Sequence, residues 1–173
     1  MSTFKKSAVI AGSLLLVFSL ICLKGGPLAL AEENNFDELD TLSLKIEGTM
    51  YDEPAEFHYR IKDIGTEDEA FRLDATSLES EKSMGFILNK SDDSSFYKEW
   101  GTGSWMAVPF LMVKPYWEKY RERHIAIAGA EEWRSWAEDE QEEFIIEGEE
   151  YSTRVWDIKV DEPIDDSVFN PNS

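Results

Sequence analysis

Three stretches near the start of the chain alternate apolar and polar residues with a period of two, and no other feature constrains the fold as tightly. In "LSLKIEG", Leu42, Leu44 and Ile46 fall on one side and Ser43, Lys45 and Glu47 on the other. "AEFHYRI" sets Phe57, Tyr59 and Ile61 against His58 and Arg60, and "AFRLDA" sets Phe71 and Leu73 against Arg72 and Asp74. Successive side chains of a strand point to opposite faces, so each stretch reads as a strand with one buried and one wet side. "SMGFILN" and "SSFYKEW" are two shorter strand candidates. Asp52-Glu53-Pro54 turns the first pair, and Gly101-Thr102-Gly103 is a hairpin connection after which Trp105 begins a return strand. Residues 42–108 therefore predict six antiparallel strands joined by short acidic turns.

The pattern changes at Pro109, which cannot donate to a sheet ladder but fits the first turn of a helix. Pro115 is expected to break or restart that helix, because the residue before a proline is pushed out of helical geometry. "GAEEWRSWAEDEQ" places Ala130, Trp133 and Ala137 on one face with Trp136 beside them, and spaces Glu131 to pair with Arg134. Two short helices are predicted over about 109–139. Strand character returns in "EEFIIEGEE" and "YSTRVWDIKVD", where strict alternation puts Val155, Asp157 and Lys159 on one side and Trp156, Ile158 and Val160 on the buried one. Strands, helices and strands again, with half-wet alternation throughout, predict an α+β fold on an antiparallel sheet.

The first residues read as an export signal. Lys5 and Lys6 precede an apolar run from Ala8 to Leu23, and Ala29-Leu30-Ala31 offers a small-x-small cleavage pattern. Residues 1–31 are read as a signal peptide cut after Ala31, or alternatively as a retained N-terminal anchor, and residues 32–173 as one domain. Cys22, the only cysteine, follows Ile21 rather than a small residue, so it reads as part of the apolar run and not as a lipid-attachment site. The processed chain then has no disulfide, and stability must come from a core.

Charge narrows the partners. The chain's formal net charge is -19; residues 1–31 hold three of the 17 basic residues and none of the 36 acidic ones, leaving -22 on the remainder. Such a surface argues against nucleic acid and against docking on anionic lipid through charge, and favours solubility or a basic protein partner. With 20 of the 22 aromatic residues outside the first 31, the chain has ample apolar area to fold.

Candidate chemistry is sparse. His58 lies on the wet side of its strand and His124 at a helix end where a cation is favourable; neither has a partner at metal-ligand spacing. There is no glycine-rich phosphate loop and no Gly-x-Ser-x-Gly elbow. Acid pairs such as Asp92-Asp93 and Asp165-Asp166 are too common here to single out glycosidase carboxylates. The run from Glu138 to Glu143 lacks the spaced ligands and glycine of a calcium loop and reads as a solvated face. No group stands out as acid, base or nucleophile, so the chain reads as non-enzymatic, with no cofactor and no metal.

What does stand out is residues 105–117, with ten apolar residues, two prolines and a single charge, Lys114. A sheet with one oily face needs a cover, and this segment can supply it as a core helix. The same segment can leave a cavity lined by Trp105, Phe110, Met112, Val113 and Trp117, with Trp133 and Trp136 as further cover. Methionine and aromatic walls suit shape-tolerant binding of apolar ligands, because thioethers repack cheaply.

Several phrases together resemble the lipoprotein-localisation superfamily, the LolA/LolB-like periplasmic carriers of the outer-membrane lipoprotein-sorting type. "LSLKIEGTMYDEPAEFHYRIK" is similar to that family's opening hairpin, "AFRLDA" to its Arg-Leu-acid strand, and "FILNKSDDSSFYKEWGTGSWMAVP" to its strand, turn and Trp-containing strand. "VPFLM" resembles the start of its covering helix, and "VWDIKVDEPIDDSVFNP" its final strand and closing phrase. The resemblance implies a curved antiparallel β half-barrel with short helices covering the concave face, holding a lipid or the acyl chain of a lipoprotein. Some relatives are envelope sensors, which keeps open an interaction module with a filled core and an acidic partner-binding surface. Two features depart from the pattern. Glu32 to Asp40 leaves little room for the carriers' long N-terminal helix, and Arg72, nearest to their gating arginine, alternates outward. The resemblance places the chain in the periplasm or another extracytoplasmic space, touching a membrane only transiently or through an uncleaved N-terminus.

Overall fold

A computed structural model describes residues 35–101, 103–139, 143–147 and 152–172. These belong to one compact unit, Asn34–Ser173; the stretch read as a signal peptide, with Cys22, and residues 140–142 of the acidic run lie outside the described residues. A 3-10 turn, Asn35–Glu38, leads into β1 (Thr41–Met50), β2 (Glu53–Lys62), β3 (Ala70–Ser77), β4 (Ser83–Asn89), β5 (Ser94–Lys98) and β6 (Trp105–Ala107). Helix α1 (Phe110–Tyr120) runs on into a π-turn, Arg121–Ile125, and α2 (Ala130–Glu138) comes next. β7 (Glu143–Glu147), β8 (Ser152–Val160) and a 3-10 turn, Asp166–Phe169, close the fold.

All eight strands form one antiparallel sheet in the order β6-β5-β4-β3-β2-β1-β8-β7. The sheet is open, with β6 and β7 as its edges, and the helices cover one face: the α+β antiparallel sheet expected from the alternation, in the half-barrel form that the resemblance implied. The first turn is tighter than the sequence predicts. Glu53 and Pro54 already belong to β2, and the reversal falls on Tyr51 and Asp52, at φ 50° and 64°. Positive φ at both central residues is the type I′ pattern that matches strand twist.

Alternation becomes layering. On the inner face Leu42, Leu44 and Ile46 align with Phe57, Tyr59 and Ile61, then Phe71 and Leu73, then Phe86 and Leu88, all buried. Val113, Trp117, Ile125 and Trp133 press down on them from the helical side. Each such apolar side chain contributes about 1.5–3 kcal/mol when taken fully out of water, which is how a disulfide-free fold of this size holds. Among the described residues no helix is long and apolar enough to cross a membrane.

Three expectations about local geometry are corrected. Helix α1 passes through Pro115 instead of breaking there. Pro115 is exposed, and the carbonyl it leaves without a donor belongs to Leu111, also exposed; water can satisfy it, so the lost bond costs less than in a buried helix. Arg134 does not turn to Glu131: its Nε donates to Asp161 at 2.9 Å and its Nη2 to the Glu38 carbonyl at 3.0 Å, tying α2 to the chain just before β1 and just after β8. Nor does β8 keep strict alternation. Between the pairs Ser43–Lys159 and Lys45–Trp156, β1 has one residue and β8 has two. The extra residue is a bulge with Asp157 at φ 51°. It sends Val155 to the core opposite Ile46 and Trp156 to the outer face opposite Lys45.

Candidate functional site

The outer face carries charge. Arg60 and Arg72 both bind the Asp74 carboxylate, Arg72 Nε at 2.7 Å. Arg72 Nη1 also donates to the Val168 carbonyl at 2.7 Å, which ties the C-terminal stretch across this face. Ser43 Oγ and His58 Nε2 are 3.3 Å apart in the same layer. Burial first, then the charges of Arg60 and Lys45, lowers the His58 imidazole from its usual 6.5 to about 4, so it stays neutral at physiological pH. Arg72 is thus held outward, as its alternation requires.

The inner face is not sealed at the β4–β5 end. A cavity of about 210 Å³ lies there between the sheet and α1. Its deep wall is Met84 and Phe86 from β4 and Val113 from α1, all buried. Its mouth is Tyr51 from the first turn and Met112 and Tyr116 from α1, which are 66%, 60% and 52% exposed. Met50, Tyr97, Val108 and Tyr120 complete the sides.

Helical spacing explains the arrangement. Val113 and Trp117, four apart, form the stripe that faces the sheet; Met112, Tyr116 and Tyr120 form the adjacent stripe, which faces the opening. Lys114 and Glu118 pair on the water side. From the sheet, register supplies the row: Phe86 lies opposite Tyr97, and Tyr97 opposite Met106. The Phe86 ring stacks with Tyr97 and with Tyr116, both at 5.3 Å between centroids. Burial, with smaller contributions from Tyr51, Glu99, Tyr116 and Tyr120 nearby, raises the Tyr97 hydroxyl above its ordinary pKa.

Of the five residues expected to line a cavity, Met112 and Val113 do, and the other three go elsewhere. Trp117 is buried against Phe71, with stacked centroids 4.1 Å apart, and serves as core. Phe110 lies on the first turn of α1 and borders a polar groove with Gly65, Lys90 and Lys114. Trp105 is on the opposite face of the sheet. It pairs in register with Lys98, covers the bare Cα of Gly85, and lies under the Arg72 guanidinium at 5.2 Å. A Cβ on residue 85 would sit 2.5 Å from the Trp105 ring, so this glycine is what lets the indole lie flat. Trp133 is fully buried, its Nε1 donating to the Ile125 carbonyl at 3.1 Å. Trp136 stacks on Phe144 at the β7 edge, away from the cavity.

Sequence reasoning misses most of the lining: the aromatic Tyr51, Phe86, Tyr97, Tyr116 and Tyr120, and the aliphatic Met50, Met84 and Val108. Phe86 and Met84 carry the right signal, alternate positions of an apolar strand, but nothing local says that the helix leaves this end open. His124 takes a structural role and does not line the cavity. Its Nδ1 is hydrogen-bonded to the hydroxyl of buried Tyr59, and its ring lies against Phe57, Tyr59 and Tyr120 at 5.7–5.8 Å. The π-turn after α1 carries this imidazole inward, behind the cavity wall.

Among the described residues, the lining contains no carboxylate, amine, imidazole or guanidinium. It offers shape, π faces, thioethers and phenol hydroxyls. Compared with known proteins, the chain matches no family model, no curated protein and no solved structure.

Proposed function

We propose that this chain is an exported, non-enzymatic binding protein of the lipoprotein-localisation type. In this reading it holds a lipid, or the acyl chain of a lipoprotein, at the inner face of its half-barrel. The observation that carries the reading is the apolar cavity opening between Tyr51, Met112 and Tyr116, in a chain whose outer face is charged and cross-linked. Sites for whole drug-sized ligands run to about 300–1,000 Å³, so a cavity of about 210 Å³ takes the end of a chain while the remainder lies along the exposed rim. Each buried methylene contributes about 0.8 kcal/mol, and micromolar affinity needs about 8 kcal/mol; the rim must supply part of that. Release of the segment before Glu32, as a cleaved signal, would leave the acidic domain free to carry cargo between surfaces.

The test is uptake of a fluorescent fatty acyl probe, together with mass spectrometry of whatever small molecule accompanies the protein through native purification. Met112→Asp puts a carboxylate at the mouth of the cavity. Because Met112 is exposed, the change should shift stability by less than about 0.5 kcal/mol and leave the circular dichroism unaltered while uptake is lost. A variant that binds the probe as well as the parent does would refute the site. Co-purification of a protein partner with no lipid would favour the rival reading, an envelope interaction module.

A further inference from the structure

Resting on the cavity as a ligand site, we propose that its ligand is a single-chain amphiphile bearing a positively charged, quaternary-ammonium-type head, the tail entering the cavity and the head held at the tyrosine-lined mouth. The depth of the cavity is purely apolar: Met84, Phe86 and Val113 are buried and offer nothing to a polar group. The mouth is different. Tyr51, Tyr97, Tyr116 and Tyr120 come from the first turn, β5 and α1, yet converge closely enough that the other three all act on the Tyr97 hydroxyl. Tyr116 and Tyr51, at the rim, are half or more exposed, so their rings are open to a ligand.

Phenol groups admit either sign of charge: the hydroxyl donates to an anion, and the ring face attracts a cation. Three observations decide between them. Among the described residues no lysine, arginine or histidine lines the cavity, so an ionised carboxylate or phosphate brought there would be desolvated without a counter-charge. Glu99, the residue after β5, brings a carboxylate whose charge acts on Tyr97. The chain as a whole carries -19, a field that concentrates cations and repels anions. A quaternary ammonium is weakly hydrated and spreads its charge over methyl groups, which suits a mouth of ring faces and the Met112 thioether. Recognition of such heads by aromatic cages is a recurring use of the interaction.

The experiment is calorimetric titration of the purified chain with three probes of equal tail length below their micelle concentrations: dodecyltrimethylammonium, uncharged dodecyl maltoside, and dodecyl sulfate. The expected result is one-to-one binding of the ammonium probe, about tenfold tighter than the maltoside, with the sulfate weakest. At about 0.5 M salt, where the field of the whole protein is screened, a preference of about threefold should persist. Tyr97→Leu combined with Tyr116→Leu should remove that residual preference while maltoside affinity stays within about twofold, since leucine preserves the apolar wall. If all three probes bind alike, the site stands and the head-group inference falls. If none binds, both fall. Multiple ammonium ions per chain, with a preference unchanged in the double variant, would mean adsorption to a generally acidic surface and would also overturn the inference.

Discussion

The two faces of this sheet are built from alternate residues of the same strands, and they are closed in different ways. On the inner face helices lie over Leu, Ile and Phe side chains, and the cover runs short at the β4–β5 end, leaving the cavity beside Phe86. On the outer face the C-terminal stretch crosses a layer of paired charge, with Phe169 against Ile87 and the Val168 carbonyl on Arg72. Apolar packing is non-directional, so a helix can cover most of an oily face and still leave a gap without stranding a polar group. Charged groups in a half-buried layer are costlier to leave unpaired: Arg60 and Arg72 share Asp74, yet the Arg60 Nε stays buried without a hydrogen-bond partner among the described residues, and the groove left beside Ser43, His58 and Arg60 is lined largely by polar groups. The apolar site is therefore on the face where a gap strands no charge.

Substitutions that separate the faces rank by expected effect. Trp117→Ala removes an indole buried against Phe71 and should lower stability by about 3–5 kcal/mol in urea unfolding; a loss under about 1 kcal/mol would mean that Trp117 belongs to the ligand site and not to the core. Asp74→Ala should cost about 2–3 kcal/mol, because it leaves two arginine side chains partly buried without their shared carboxylate. Acyl-probe affinity per folded molecule should not change, and if it does the faces are coupled.

The His58 prediction concerns pH. The imidazole is lowered to about 4 in the folded chain, against 6.5 for the free side chain. Between these values the unfolded state binds a proton that the folded state does not, so stability is lost as pH falls from about 6.5 towards 4. Discounted for partial exposure, the loss is about 1–2 kcal/mol. His58→Gln should flatten that part of the pH–stability curve, and an unaltered curve would show that the ring is not held neutral. Smallest is Trp105→Ala, expected to cost about 1 kcal/mol through lost cover of Gly85 and Arg72, with probe uptake unchanged. Reduced uptake would return Trp105 to the site.

The alternation in residues 42–108 makes the six-strand meander legible, because a period of two leaves a strand one way to face a core. Trp105 shows where such reading stops. Composition groups it with the greasy segment that comes after it, yet one strand position places it on the outer face and Met106 on the inner, a matter of register against Lys98 and Tyr97. Strict alternation turns Trp156 inward for the same kind of reason, and the bulge at Asp157 reverses it. A plain helix end would leave His124 facing solvent; the π-turn, which no period in the sequence announces, rotates it onto Tyr59. Of the cavity, Met112 and Val113 are visible because they lie on an apolar helix, while Tyr51, Tyr97 and Tyr120 come from segments more than twenty residues apart and meet only when folded.

Side-chain period and charge are local and additive, and they suffice to specify an acidic α+β chain with a half-buried antiparallel sheet and an oily helical cover. Where the cover falls short, which tyrosines surround the gap, and which tryptophans are core or outer cover emerge only once the elements pack. Those outcomes depend on register, one bulge and one widened helical turn, each of which shifts a side chain by a single position and so from one face to the other.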